Sequence, residues 1–145
     1  MTIVVGYSPS GQGDAALRSA VREAGRRRQD LLIASHPYND PEHGPSVASA
    51  EAVQTALAAA GGAELRAQVR TAAEHEDIGE FLVTVAEESA ASVIVIGLRR
   101  KSPIGKLNLG ASARRLVLGA PCPVLTVKDT STSTSGTIPA VAADA

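Results

Sequence analysis

Short apolar runs and stretches of helical period take turns along this chain. Residues 2–6, 31–34, 92–97 and 123–127 are continuously apolar and rich in β-branched side chains. Such runs suit strands buried on both faces of a parallel sheet. Leu65-Arg66-Ala67-Gln68-Val69-Arg70 alternates instead, which predicts a more exposed strand. Between these runs the period lengthens to about 3.6. Residues 14–28 place Leu17, Val21 and Ala24 on one stripe and Arg18, Arg22 and Arg26 on another. A second helix, over about 46–60, carries Ala50, Val53 and Leu57 and stops at Gly61-Gly62. A third, over about 76–90, is expected to bury Ile78, Phe81, Leu82 and Val85. The fourth begins near Gly110, buries Ala113, Leu116 and Val117, and ends before Pro121. The alternation β-α-β-α-β-α-β-α-β, with right-handed crossovers, predicts an α/β fold. It is a single doubly wound domain, with a five-stranded, mainly parallel sheet and helices on both faces.

Two segments fall outside this rhythm. Residues 37–45 hold three prolines and read as a loop too proline-rich for regular structure. Beyond Lys128 the chain runs through Thr130-Ser131-Thr132-Ser133-Thr134-Ser135-Gly136 into an Ala-rich end. With little there to bury, residues 130–145 are expected to form a disordered tail behind a domain spanning 1–129.

Composition narrows the classes. A chain of 145 residues fits one domain with a real core, built here from Ala, Val, Leu and Ile because aromatics are only 2%. The single cysteine, Cys122, excludes an intramolecular disulfide and a cysteine-rich metal cluster. No apolar run approaches the ~20 residues of a membrane span. No basic flank or cleavage site precedes Ile3-Val4-Val5-Gly6, so a cytoplasmic location away from membranes is expected.

Charge changes the picture more. The net charge is −1, yet residues 89–128 contain no Asp or Glu and carry +7, leaving −8 for the rest. This asymmetry predicts a local positive field able to attract an anion, although a solvated basic face is the competing reading.

In an open parallel sheet, ligands bind beyond the carboxyl ends of the strands, near the point where strand order reverses. The segment after the first strand is Tyr7-Ser8-Pro9-Ser10-Gly11-Gln12-Gly13. The segment after the fourth predicted strand starts at Gly97, carries Arg99, Arg100, Lys101 and Lys106, and feeds through Gly110 into a helix with Ser112 in its first turn. Unpaired N–H groups at a helix start favour an anion, and glycine permits close approach to the backbone. The alternative is that both glycines only punctuate secondary structure. No G-x-G-x-x-G follows the first strand, and no Walker loop is present.

The arrangement resembles the universal stress protein family, whose pattern is G-x2-G-x9-G-[ST], then a helix and an A-x-C-P-V strand. This chain reads Gly97-x2-Arg100-x9-Gly110-Ala111, then Ala120-Pro121-Cys122-Pro123-Val124, with every spacing kept. Its opening Val4-Val5-Gly6-Tyr7-Ser8-Pro9-Ser10 is similar to the family's V-V-G-Y-D-G-S, and the resemblance covers residues 2–128. It implies a Rossmann-like fold of the adenine nucleotide alpha hydrolase kind, ATP between the first and fourth strand loops, and dimers joined through the fifth strand. It further implies that Tyr7, Ser8, Pro9 and His36 lie on the adenosine side and that Ile96 and Gly97 line the ribose. Arg100, Gly110, Ala111, Ser112 and Ala113 would face the phosphates. Three positions depart from the pattern. Ser8-Pro9 replaces Asp-Gly, Arg100 replaces the second glycine, and Ala111 replaces a hydroxyl residue. Two readings therefore stand: a dimeric stress-response module that binds an adenine nucleotide and reports it to a protein partner, and a nucleotide-free dimeric scaffold.

Enzymatic chemistry has little to draw on. His36, His43 and His75 lie in three segments without metal-ligand spacing, and neither a Ser-His-Asp order nor paired carboxylates follow the strands. Cys122, between two prolines, reads as a packed thiol. A pI of about 6.3, a short basic loop and no aromatic placed for base stacking argue against nucleic acid.

Overall fold

The computed structural model describes residues 1–40, 44–73, 76–98 and 111–128. In chain order its elements are β1 (Thr2–Tyr7), α1 (Gly11–Arg27), β2 (Asp30–Ser35), β3 (Tyr38–Asp40), β4 (Gly44–Ser46), α2 (Ala50–Ala59), β5 (Ala67–Thr71), α3 (Ile78–Ser89), β6 (Ala91–Leu98), α4 (Ala111–Gly119) and β7 (Val124–Lys128). Five strands form one parallel sheet in the order β5-β2-β1-β6-β7. The expected tail, residues 130–145, lies outside the described residues.

The central strands are apolar on both faces because both faces are covered. Ile3, Val5, Leu31, Ile33, Val93 and Val95 pack under α1 and α2, against Leu17, Ala20, Val21, Val53 and Leu57. Val4, Leu32, Ala34, Ile94 and Ile96 pack under α3 and α4, against Phe81, Leu82, Val85 and Leu116. Burial of these side chains follows the two-fold alternation of the strands and the 3.6 period of the helices. The alternating segment 65–70 supplies β5, an exposed edge as expected.

Four expectations need correcting. Residues 38–40 and 44–46 pair as a short antiparallel ribbon, with Asn39 opposite Pro45. An isolated two-stranded ribbon has an outward side along each strand, where a proline nitrogen forfeits no ladder bond. The second helix starts at Ala50 rather than 46, because the Ser49 hydroxyl accepts the Ala52 N–H and fixes the boundary; Ala50 is exposed at that first position. Strand β7 is largely exposed, since among the described residues it has a strand neighbour on one side only and its apolar sequence does not by itself bring cover. In α4 the inward stripe is Ala113 and Leu116, continued by Ala120 just after the helix, so Val117 turns outward and is 45% exposed.

Candidate functional site

At the carboxyl end of β1 the chain turns through Ser8, Pro9 and Ser10 into α1. Ser10 is extended, and its Oγ accepts the Gly13 N–H at 3.1 Å, capping the helix. Ser8 is 2% exposed, and its Oγ lies 2.9 Å from Ser10 Oγ. The turn folds back so tightly that a Cβ on Gly13 would stand 2.0 Å from the Ser8 carbonyl oxygen, which explains the glycine. Tyr7, the last residue of β1, is buried under α1, and its hydroxyl donates to the Asp14 carboxylate. Burial first, then the Asp14 charge, pushes this phenol's pKa up, so it stays protonated.

His36 follows β2 directly, and its N–H donates to the Tyr7 carbonyl at 2.9 Å. Its Nδ1 lies 3.1 Å from the Pro37 carbonyl, an acceptor only, so Nδ1 carries the hydrogen and Nε2 carries a lone pair without a donor among the described residues. Burial holds the imidazole pKa below its ordinary value, with the Pro37 carbonyl opposing the shift in part. The ring is therefore neutral near pH 7. Beside Tyr7 on the neighbouring strand, Ser35 Oγ is fully buried with no hydrogen-bond partner among the described residues.

On the other side of β1, Ile96 and Gly97 approach the end of β6, with Ile96 6% exposed. A Cβ on Gly97 would meet the Gln12 carbonyl oxygen at 2.1 Å. The end of β6 is thus latched to the first turn of α1. The chain moves outward from β1 through β2 to β5, then returns to β6 and β7, so order reverses between β1 and β6. Tyr7, Ser8, Pro9, His36, Ile96 and Gly97 all gather at the carboxyl ends of β2, β1 and β6, beside this crevice.

The four helices among the described residues begin at that end of the sheet, and their electrostatics differ. The first turns of α1, α2 and α3 contain Asp14, Glu51 and Glu80, and α3 is also capped by Asp77. The first turn of α4, with Ala111, Ser112 and Ala113, contains no acid. With no acid there, its N–H groups and dipole favour an outside anion. Arg114 follows, exposed and without an ion pair among the described residues, whereas Arg115 pairs with Asp77. Arg100 and Gly110 lie outside the described residues.

Sequence reasoning missed Ser10, Gln12 and Gly13 as the residues that shape the turn. The Ser10-x2-Gly13 spacing before a helical stripe was the available signal for the cap. Among the described residues there is no group of three or more His, Cys, Asp or Glu side chains that could hold a metal ion. No helix there is long and apolar enough to cross a membrane.

A family model described as the universal stress protein family matches residues 1–128. A "Universal stress protein" of Mycolicibacterium smegmatis is 36% identical over 126 residues, covering 87% of this chain and 96% of that protein. The solved structure of a universal stress protein from Archaeoglobus fulgidus superposes with a TM-score of 0.68 at 26% identity, covering 88% of this chain and 98% of that one. A universal stress protein crystallised with cAMP superposes with a TM-score of 0.62 at 25% identity, covering 89% and 97% respectively.

Proposed function

The chain belongs to the universal stress protein family, and on that premise we propose that it is a stress-response module that binds an adenine nucleotide without turning it over. The observation that carries this reading is the start of α4, alone among the four helices in lacking an acid in its first turn and set in a stretch with none. The cAMP bound by a relative of 25% identity supports the adenine part.

On this reading Ala111, Ser112 and Ala113 offer N–H groups to phosphate, together with Gly110 and Arg100. Ile96 and Gly97 flank the ribose, and Tyr7, Ser8, Pro9 and His36 meet the adenosine. The Nε2 lone pair of neutral His36 is suited to accept from an exocyclic amine. ATP is the ligand proposed, its triphosphate drawn by the basic stretch. Binding rather than turnover is favoured because the Ser8 and Ser10 hydroxyls are hydrogen-bonded to each other and the Ser10 hydroxyl also caps α1, so neither is paired with a general base among the described residues.

The same proposal includes a homodimer joined along β7, the fifth sheet strand, and a cytoplasmic location that keeps Cys122 reduced. The nucleotide-free scaffold remains the second reading. It is favoured by Ser8, which brings no carboxylate to the crevice, and by Arg100 in place of glycine.

Calorimetric titration with ATP, beside mass spectrometry of nucleotide extracted from fresh protein, tests the first reading. A charge-assisted contact contributes about 1.5–3 kcal/mol, so Arg100→Ala is expected to weaken ATP about 10- to 150-fold. Tighter binding by Arg100→Gly than by the natural chain would instead favour the scaffold.

A further inference from the structure

The first turns of α3 and α4 lie against each other. A Cβ on Gly79 of α3 would meet the Ser112 carbonyl oxygen of α4 at 2.8 Å and Arg115 Cβ at 3.2 Å. At this contact the Arg115 guanidinium reaches back across the helix pair. Its Nη1 lies 3.2 Å from Asp77 Oδ2 and 3.5 Å from Glu80 Oε2. Asp77 Oδ2 also accepts the Glu80 N–H at 2.9 Å, so one carboxylate caps α3 and holds α4. Deeper in α4, Leu116 alone is fully buried.

We propose that Arg115 is a positioning residue for the anion site, acting through Asp77 and Glu80 to hold the first turn of α4 at the angle that presents its N–H groups. This inference rests on the nucleotide-binding reading above. Arg115 stands in the basic stretch, yet its charge is already matched by two carboxylates, so it acts on helix placement rather than on phosphate. Loss of Arg115 then weakens ligands by a factor independent of their phosphate count, because every ligand uses the same N–H groups. A side chain touching phosphate would lose more with ATP than with AMP, since Coulomb attraction grows with ligand charge.

The test is calorimetric titration of the full chain with AMP and with ATP, for the natural protein, Arg115→Ala, Arg115→Lys and the double variant Asp77→Asn with Glu80→Gln. Asparagine keeps the helix cap while removing the charge. From the upper range for exposed ion pairs, Arg115→Ala and the double variant are each expected to weaken both nucleotides about 2- to 5-fold, equally, with Arg115→Lys near the natural affinity. Amide exchange across residues 115–118 of the ligand-free protein supplies a second readout, expected to quicken in Arg115→Ala. Unchanged affinity, a larger loss for ATP than for AMP, tighter binding by the double variant, or unchanged exchange overturns the positioning role. Failure of the natural protein to bind either nucleotide overturns the nucleotide reading and this inference with it.

Discussion

The two edges of the sheet present the same backbone hazard and treat it in opposite ways. Among the described residues, strands β5 and β7 each pair on one side only, with β2 and with β6, leaving a row of main-chain groups toward the outside. On β5 the exposed side chains are Gln68, Val69, Arg70 and Thr71, with Val69 37% exposed, and Arg70 is tied to Glu88 of α3 at 2.6 Å. On β7 they include Leu125, 37% exposed, and the preceding helix α4 turns Val117 and Leu118 outward, the latter 82% exposed. Charged side chains on an edge discourage pairing with another chain, and an apolar edge invites it. This sheet thus carries one edge guarded by an ion pair and one edge without such a guard among the described residues.

The largest expected effect separates burial from exposure within α4. Leu116→Ala should cost about 2–5 kcal/mol, while Leu118→Ala, on the outer face, should leave the folded chain within about 0.5 kcal/mol of its natural stability. Urea denaturation of both variants decides it, and equal losses would mean that Leu118 is covered in solution. Next comes the open edge itself. Val117→Lys combined with Leu125→Lys should weaken the proposed dimer by at least about 30-fold, from some 2 kcal/mol of lost apolar contact and added repulsion. Val69→Lys on β5 should leave the mass unchanged. Light scattering across a dilution series reads both, and a monomer at every concentration for the natural chain would remove the contrast between the edges. The smallest effect concerns the guard. Arg70 and Glu88 are 43% and 56% exposed, so Arg70→Ala should cost only about 0.2–1 kcal/mol and less in high salt. A cost above that range, insensitive to salt, would show that the arginine stem packs rather than guards.

Much of this was legible in the sequence, for reasons tied to particular residues. The apolar runs around Val4, Ile33 and Ile94 announced doubly covered strands because β-branched runs of that length have few other uses. Gly97 stood out by its place in the family spacing, and the acid-free stretch by simple charge mapping. What stayed hidden depends on contacts distant in sequence. Val117 turns outward because Ala113 and Leu116 take the inward stripe of α4, a choice made by packing against α3 and the sheet. The exposure of β7 follows from strand order, which local pattern does not encode. The buried Ser35 hydroxyl at the end of β2 and the Ser8–Ser10 contact in the turn after β1 depend on packing that no periodicity reports. Pro45 argued against any ribbon, and the unpaired outer side of two strands is what admits it.

The latch between Gly97 and Gln12 also bears on how the chain is made. Strand β1 has β2 on one side and β6 on the other, but β6 is synthesised only after α2, β5 and α3. Until residues 91–98 leave the ribosome, one long side of Val4 and Val5 has no strand beside it and the first turn of α1 lacks its backstop. A growing chain therefore carries its stickiest surface for most of its synthesis, and the turn at Ser8 is finished late although it is translated almost first. Birth order and assembly order run against each other here, which places the demand for chaperone protection on the amino-terminal half.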